Sequence, residues 1–413
     1  MQGLKGIHMK KLMILGGSRY ALPVIEAAHK LGVYVITCDY LPDNIAHRYS
    51  DEYCDVSIIE KEKVLAEAKR LEIDGIMSFA CDPGVVTAAY VAEKMGLPNV
   101  GSYESVCILQ NKGRFRKFLK ENGFNVPRAK EYRKGDDASS DIDLFNWPVI
   151  VKPTDSAGSK GVTRLDSPDG LQKAVEYALS FSHSGEFIIE DFITQKGFSS
   201  DTDSFSENGE LKFVSFNCQW FDRDALNPYT PSAYSWPSSM SDEHQSELAS
   251  EIQRLLHLLK MKTAVYNIET RESLDGKPYI MEISPRGGGN RLSECLRYAT
   301  GVDMITSMVQ YSVGLEVDKV EQRPYNGCWA EIILHSDEPG IFGGLWISDE
   351  IKENVVERDL WIKKGTPVGG FSAANEAIGT LVLKFDSQDR LKNVLSNQNK
   401  YVKVVLGGKE EDQ

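Results

Sequence analysis

Glu269 and Glu282 sit in two strand-like runs, AVYNIET (264–270) and PYIMEIS (278–284), separated by the turn-forming pair Asp275-Gly276. A tight hairpin about that pair sets Glu269 directly opposite Glu282 and Asn267 opposite Ser284. All four then share one face, with Ile268, Met281 and Ile283 on the other. Two carboxylates about 5 Å apart repel by roughly 3 kcal/mol at an effective dielectric near 20, and like charges directly opposite destabilise a sheet. A divalent cation removes the conflict, and Mg2+ is commonly held by one or two carboxylates together with substrate phosphates. The competing reading is a slipped register with both acids in solvent.

Upstream, VIVKPTDSAGSKGV (149–162) suggests a place for phosphates. The run passes from β-branched residues through a loop of small ones into a second strand. It lacks GK[ST] and no helix follows, so it is not a P-loop. A strand-loop-strand flap can instead lay the backbone N–H groups of Ser156, Ala157, Gly158 and Ser159, with Gly161 closing the loop, over phosphate oxygens. Lys152, at the end of an alternating strand, points one ammonium inward. Taken alone, the loop also fits an ordinary exposed hairpin tip.

The flap, the acidic hairpin and the turn PRGGGN (285–290), in this order and spacing, resemble the ATP-grasp superfamily over about residues 11 to 315. The matching residues are KPTDSAGSKGV, IIEDFI (188–193), and NIET with MEISPR. The resemblance implies binding of ATP with Mg2+ or Mn2+. In it Lys152 contacts the α- and β-phosphates, and Lys112 supplies a second phosphate lysine. Glu190 and the backbone of Asp191 and Ile193 correspond to the adenine readers. Glu269 and Glu282 hold the metal. Relatives often carry Asn where this chain has Ser284, so Ser284 and neighbouring Asn267 share the candidacy for a further oxygen ligand. Arg286 corresponds to the arginine that stabilises an acyl-phosphate intermediate. Gly287, Gly288, Gly289 and Asn290 lead into a helix whose N-terminus suits a substrate carboxylate. One departure is clear: where relatives carry a ribose-binding Glu, this chain has TQKGFSSD (194–201), with Asp201 and Asp203 as the nearby carboxylates.

The elements that position these residues follow from periodicity. Strands at 11–16, 33–39 and 73–79 alternate with helices over 21–32, 61–72 and 84–96, which means βαβ units and a parallel sheet. Asp82-Pro83 reads as a helix N-cap followed by Pro at the first helical position. A basic amphipathic helix over 111–123 leads into the flap segment. The stretch 222–240, rich in Pro, Ser and Tyr, reads as a long loop, and the last ninety or so residues as mostly strands. The expected fold is α/β (α+β ATP-grasp). A Rossmann-like N-terminal domain (9–110) precedes a two-part ATP-grasp domain (111–318, flap part about 125–192). A small β-rich domain (319–413) follows.

Composition narrows the partners. Lys+Arg 47 against Asp+Glu 60 gives a net charge of −13 over 413 residues, which argues against nucleic acid or an anionic membrane. The seven cysteines show no CxxC pairing and the seven histidines no metal spacing. Buried free thiols in a cytoplasmic protein are the plain reading. The resemblance implies a ligase that activates a carboxylate as an acyl phosphate and joins it to an amine, with an amino acid as one candidate substrate. The alternatives are a carboxylase or purine-pathway ligase acting on bicarbonate or formate, and a non-catalytic ATP-binding protein of the same fold. Homodimers are common in the superfamily, and a homodimer is an expectation of the same kind.

Overall fold

The computed structural model describes residues 9–156 and 160–407, so Ala157, Gly158 and Ser159 of the flap loop lie outside the described residues. Near the N-terminus, β1 (Lys11–Leu15), β2 (Tyr34–Cys38), β3 (Glu52–Cys54) and β4 (Gly75–Ser78) form a parallel sheet in the order β3-β2-β1-β4. Near-continuous apolar runs such as KLMIL suit strands covered on both faces; α1 (Leu22–Lys30) connects β1 to β2, α2 (Lys61–Arg70) connects β3 to β4, and α3 (Asp82–Met95) follows β4. Asp82 differs from its sequence reading. Cys81 is the cap residue of α3 and Asp82 already lies in its first turn, which leaves the Asp82 carboxylate available elsewhere.

After α4 (Tyr103–Gln110) and α5 (Lys112–Glu121) comes an antiparallel sheet of β5 (Ala129–Arg133), β6 (Val149–Pro153), β7 (Thr163–Leu165) and β8 (Glu186–Asp191), in the order β5-β8-β6-β7. One face packs on α6 (Leu171–Ser180). Leu171, Ala174, Val175 and Ala178 recur at helical spacing and meet Val149, Val151, Phe187 and Ile189.

The next strands are β9 (Ser200–Glu207), β10 (Glu210–Phe213), β11 (Cys218–Phe221), β12 (Pro231–Trp236), β13 (Ala264–Glu272) and β14 (Pro278–Ser284). Four of them make an antiparallel sheet, β10-β9-β13-β14, with α7 (Asp242–Leu258) packed beneath through Leu248, Ile252, Leu255 and Leu256. β9 was not expected. Its sequence, SDTDSFSE, has no apolar alternation, yet it is a buried central strand.

The β13/β14 hairpin pairs Asn267 with Ser284, Ile268 with Ile283 and Glu269 with Glu282, as expected, but by another route. The turn is longer than two residues: Ser273 N–H bonds to Lys277 O across Leu274, Asp275 and Gly276. A register shift between Glu269 and Thr270, with Met281 as the extra residue, restores the pairing. Ile280, rather than Met281, joins Ile268 and Ile283 in the core beneath.

β15 (Cys328–Leu334), β16 (Gly340–Ile347), β17 (Val355–Leu360), β18 (Pro367–Val368), β19 (Gly379–Phe385) and β20 (Val402–Gly407) are the remaining strands among the described residues. They do not keep to themselves. The five-stranded sheet runs β11-β12-β15-β19-β17, so part of the stretch expected as a loop is a strand ending in the buried Tyr234 and Trp236. Between this sheet and the N-terminal one lie α8 (Leu292–Thr300) and α9 (Met304–Ser312).

Close backbone approach sets how α9 seats on the N-terminal sheet. A Cβ at Gly75 would lie 2.1 Å from Ser312 O, a clash with backbone that no rotamer change relieves. Gly75→Ala is expected to lower unfolding stability by about 1–3 kcal/mol, read as a fall in the urea midpoint.

Candidate functional site

Flap and acidic sheet are tied together at α5. Asn111 caps this helix by accepting from Arg114 N–H, and Lys112 and Arg116, four residues apart, share a face. Lys112 Nζ donates to Ser156 O at the flap (3.0 Å) and lies 3.3 Å from Glu282 Oε2. Its backbone N–H bonds to Thr154 O. Asp155 holds the flap base from the other side, accepting from Ser182 Oγ and from the His183 and Ser184 N–H groups. Gly161, at φ +72°, closes the loop where a side chain would meet Pro153 and Phe181.

Lys152 projects from β6 and pairs with Glu190 on β8. The other Glu190 oxygen accepts from Arg116 Nε at 2.9 Å, and Arg116 Nη1 donates to Met281 O. Burial works to raise the Glu190 carboxyl, but Arg116 and Lys152 outweigh it and hold it at about 2. Burial lowers the Lys152 ammonium, with Glu190 opposing. The expectation for Glu190 is therefore corrected: both carboxylate oxygens are engaged by buried cations, so its side chain positions Lys152 and is not turned to a base. Asp191 N–H is taken by Arg128 O, and its carboxylate by Asn146. Ile193 follows β8 directly.

The acidic face is wider than the hairpin. β9 pairs with β13 so that Asp201 stands opposite Glu269 and Asp203 opposite Asn267. Asp201, Glu269 and Glu282 thus form a row across three strands. Burial first, and then Glu269, push the Asp201 carboxyl up to about 7. Arg271 donates to Glu269 Oε1 from Nε and Nη2. Asn267 Nδ2 donates to Asp201 (2.8 Å) and reaches Asp203 (3.4 Å). An all-oxygen donor set of this charge fits Mg2+ or Mn2+, with Glu269 and Glu282 as the residues to hold it.

Ser284 and Arg286 serve elsewhere. Ser284 Oγ donates to Asp82 Oδ1 (2.9 Å) and accepts from Gln110 Nε2 (2.8 Å), so it links elements and is not turned to a cation. Arg286 makes a two-pronged pair with Asp82, Nε to Oδ1 at 2.9 Å and Nη2 to Oδ2 at 2.7 Å. Its third nitrogen donates to Gly287 O.

In the PRGGGN turn, Gly288 N–H donates to Asp203 Oδ1 at 2.8 Å, and Ser293 Oγ donates to Asp203 Oδ2. That amide is unavailable to a substrate carboxylate, which corrects the expectation for Gly288. Asn290 and Arg291 both adopt positive φ (51° and 59°), and Arg291 precedes α8 without a side-chain cap. Asn290 Oδ1 accepts from Tyr20 Oη at 2.9 Å, and its Nδ2 lies 3.4 Å from Tyr234 Oη.

Sequence reasoning passed over Arg116 and Asp82 as site residues and considered Asp201 and Asp203 only beside the ribose, not beside the Glu269–Glu282 pair. Arg116 was findable, since it lies four residues after Lys112 on a helix whose Phe115 and Leu119 are buried. Asp82 carried no signal beyond its helix-start pattern.

A flap and a carboxylate-bearing sheet, joined through lysines, define a class of nucleotide- and metal-binding protein. Residues 145–294 match the family described as ATP-grasp domain. The formate-dependent phosphoribosylglycinamide formyltransferase of Synechococcus sp. (strain WH7803) is 26% identical over 186 residues, 44% of this chain and 48% of that protein. The carbamoyl phosphate synthase large chain of Pseudothermotoga lettingae is 23% identical over 332 residues, 77% of this chain and 30% of that one. The chain thus spans half or less of the length of these curated relatives. Among solved structures, an L-amino acid ligase from Bacillus licheniformis shares the fold at a TM-score of 0.78 and 19% identity, over 96% of this chain and 98% of that one. A phosphoribosylglycinamide synthetase from Anaerococcus prevotii does so at 0.73 and 20%, over 96% and 99%.

Glu190→Gln leaves Arg116 and Lys152 buried without their anion and is expected to cost about 3–5 kcal/mol, measured by urea unfolding at pH 7. The wild-type carboxyl is depressed on folding, so its stabilisation is present above the ordinary Glu range and lost as pH falls toward 2; the variant lacks that acid-side loss. A Cβ at Gly287 would meet Phe79 at 2.2 Å and one at Gly288 would meet Leu292 at 2.6 Å, whereas at Gly289 the nearest atom is Tyr20 at 3.7 Å. Alanine at 287 or 288 should therefore cost about 1–3 kcal/mol and alanine at 289 little, by thermal unfolding of all three.

Proposed function

We propose that the chain is an ATP- and Mg2+-dependent carboxylate–amine ligase. One observation carries the reading: Glu269 and Glu282 face each other in register, and Lys112 links Glu282 to the flap. A divalent cation held there supplies charge neutralisation for ATP phosphates. Lys152 and Lys112, with flap N–H groups, orient the phosphates between flap and hairpin. A substrate carboxylate oxygen then attacks the γ-phosphorus as the bond to ADP breaks. The amine nitrogen next attacks the acyl carbon, phosphate departs, and the nitrogen loses a proton. Catalysis of this kind is positioning plus electrostatics, without a protein nucleophile.

Arg286 serves the acyl phosphate only if Asp82 shares its fork, so in this reading Asp82 and Arg286 act as a unit. Small-molecule carboxylate and amine are the partners, with an amino acid as the first candidate. A second reading, formate or bicarbonate as the activated group, is favoured by the formate-dependent and carbamoyl phosphate relatives. Among the described residues no helix is long and apolar enough to cross a membrane.

Turnover decides. ADP release is measured with Mg2+ against amino acids singly and in pairs, then formate and bicarbonate with amines, using Glu282→Ala as the blank. Release that requires an amino acid and falls at least a hundredfold in the variant is the expected result. Release with formate or bicarbonate alone selects the second reading. Tight ATP binding without release under any condition overturns the ligase assignment.

A further inference from the structure

At the far ends of β11 and β15, outside the site above, three side chains converge. Asp222 follows β11, and His335 and Asp337 follow β15; one donor atom from each lies within 4.8 Å of the other two. His335 is almost wholly buried, and its Nδ1 sits 2.7 Å from Ile333 O. A carbonyl only accepts, so in the neutral imidazole Nδ1 carries the proton and the Nε2 lone pair is left for a ligand. That Nε2 lies 3.2 Å from Asp222 Oδ2 and 3.9 Å from Asp337 Oδ1. The ring is stacked on Phe371, centroids 4.0 Å apart and planes 17° from parallel. Asp222 is oriented as well, its Oδ1 accepting from Asp224 N–H at 2.9 Å. Asp337 is half exposed, so the cluster is open to solvent on one side.

We propose that Asp222, His335 and Asp337 form a binding site for a zinc-like divalent cation, independent of the ATP site and of the function assigned to it. Zinc bonds of about 2.0–2.2 Å at tetrahedral angles put neighbouring ligand atoms roughly 3.3–3.6 Å apart, and the two nitrogen–oxygen separations bracket that span. One imidazole with two carboxylates suits zinc, whereas the all-oxygen hairpin suits magnesium. The carboxylates also need a counter-charge. A bound cation ties the start of the segment between β11 and β12 to the end of β15, with water in the fourth position. The competing arrangement is an imidazolium that donates from both nitrogens, to Ile333 O and to the carboxylates, and takes up no metal.

The test is zinc affinity of the full chain. Protein stripped with EDTA and freed of chelator is titrated with Zn2+ in competition with a chromophoric chelator. Co2+ is added separately to read the strong visible bands of four-coordinate cobalt. Four proteins are compared: wild type, Asp337→Asn, His335→Gln and the double variant Glu269→Gln/Glu282→Gln. The expected result is one equivalent bound by wild type and by the double variant, with affinity reduced more than tenfold in Asp337→Asn and His335→Gln. Asp337 is half exposed, so its variant keeps the test valid if His335→Gln fails to fold. Unchanged affinity in Asp337→Asn, or loss of zinc only in the double variant, overturns the proposal. Absence of a bound equivalent in wild type overturns it equally and leaves the imidazolium triad.

Discussion

Carboxylates crowded on one sheet face are the constraint around which the rest of this site is arranged. Asp201, Glu269 and Glu282 come from three neighbouring strands and sit side by side, a placement that sheet pairing alone disfavours. Each is relieved differently. Arg271 shields Glu269, Lys112 stands beside Glu282, and burial moves Asp201 toward its neutral form while Asn267 donates to it. None of these gives the row a single shared counter-charge, and a divalent cation would.

The same face is braced from the N-terminal sheet. Asp82 enters from the first turn of α3 and takes both Arg286 and Ser284, while Gln110 reaches Ser284 from the end of α4. Asp203 then pins the glycine turn through Gly288 N–H and the start of α8 through Ser293. Gly287 lies against the Phe79 ring. The end of the hairpin, the turn and the following helix are therefore fixed by residues from three separate parts of the chain. Motif spacing within β14 could not show this, because the partners of Ser284 and Arg286 lie roughly 170 to 200 positions away.

Much of the fold was legible because burial leaves a periodic trace. The parallel sheet, the flap strands and the β13/β14 hairpin announce themselves through apolar runs or alternation. β9 left no trace, since apart from Phe205 its buried side chains are Ser, Thr and Asp, of which Thr202 bonds to Ser215 and Asp203 to Gly288 and Ser293. The hairpin register came out as expected although the turn is longer than two residues, because a bulge at Met281 compensates. β12 was hidden in a segment whose Pro and Ser content resembles a loop. At the site, residue identity was legible but commitment was not. Sequence marks Glu190, Ser284 and Arg286 as available polar groups, and only the packed structure shows which partners already occupy them.

The two lysines expected at the phosphates differ in how they are held. Lys112 is partly open and bonded to a carbonyl and a carboxylate. Lys152 is buried beside Arg116 with one carboxylate, Glu190, between them, two cations for one anion. Desolvation disfavours charge on such a lysine, and the pair with Glu190 opposes that. Glu190 thus opposes loss of the Lys152 proton in a place where an isolated ammonium would tend to lose it, and Glu269 of the carboxylate row adds further negative charge acting on Lys152 and Arg116. A buried charge cluster of this kind is poorly explained as fold stabilisation, since an apolar replacement would serve packing as well. In the proposed reading its use is to hold a charged Lys152 in place for the phosphates of an anionic ligand.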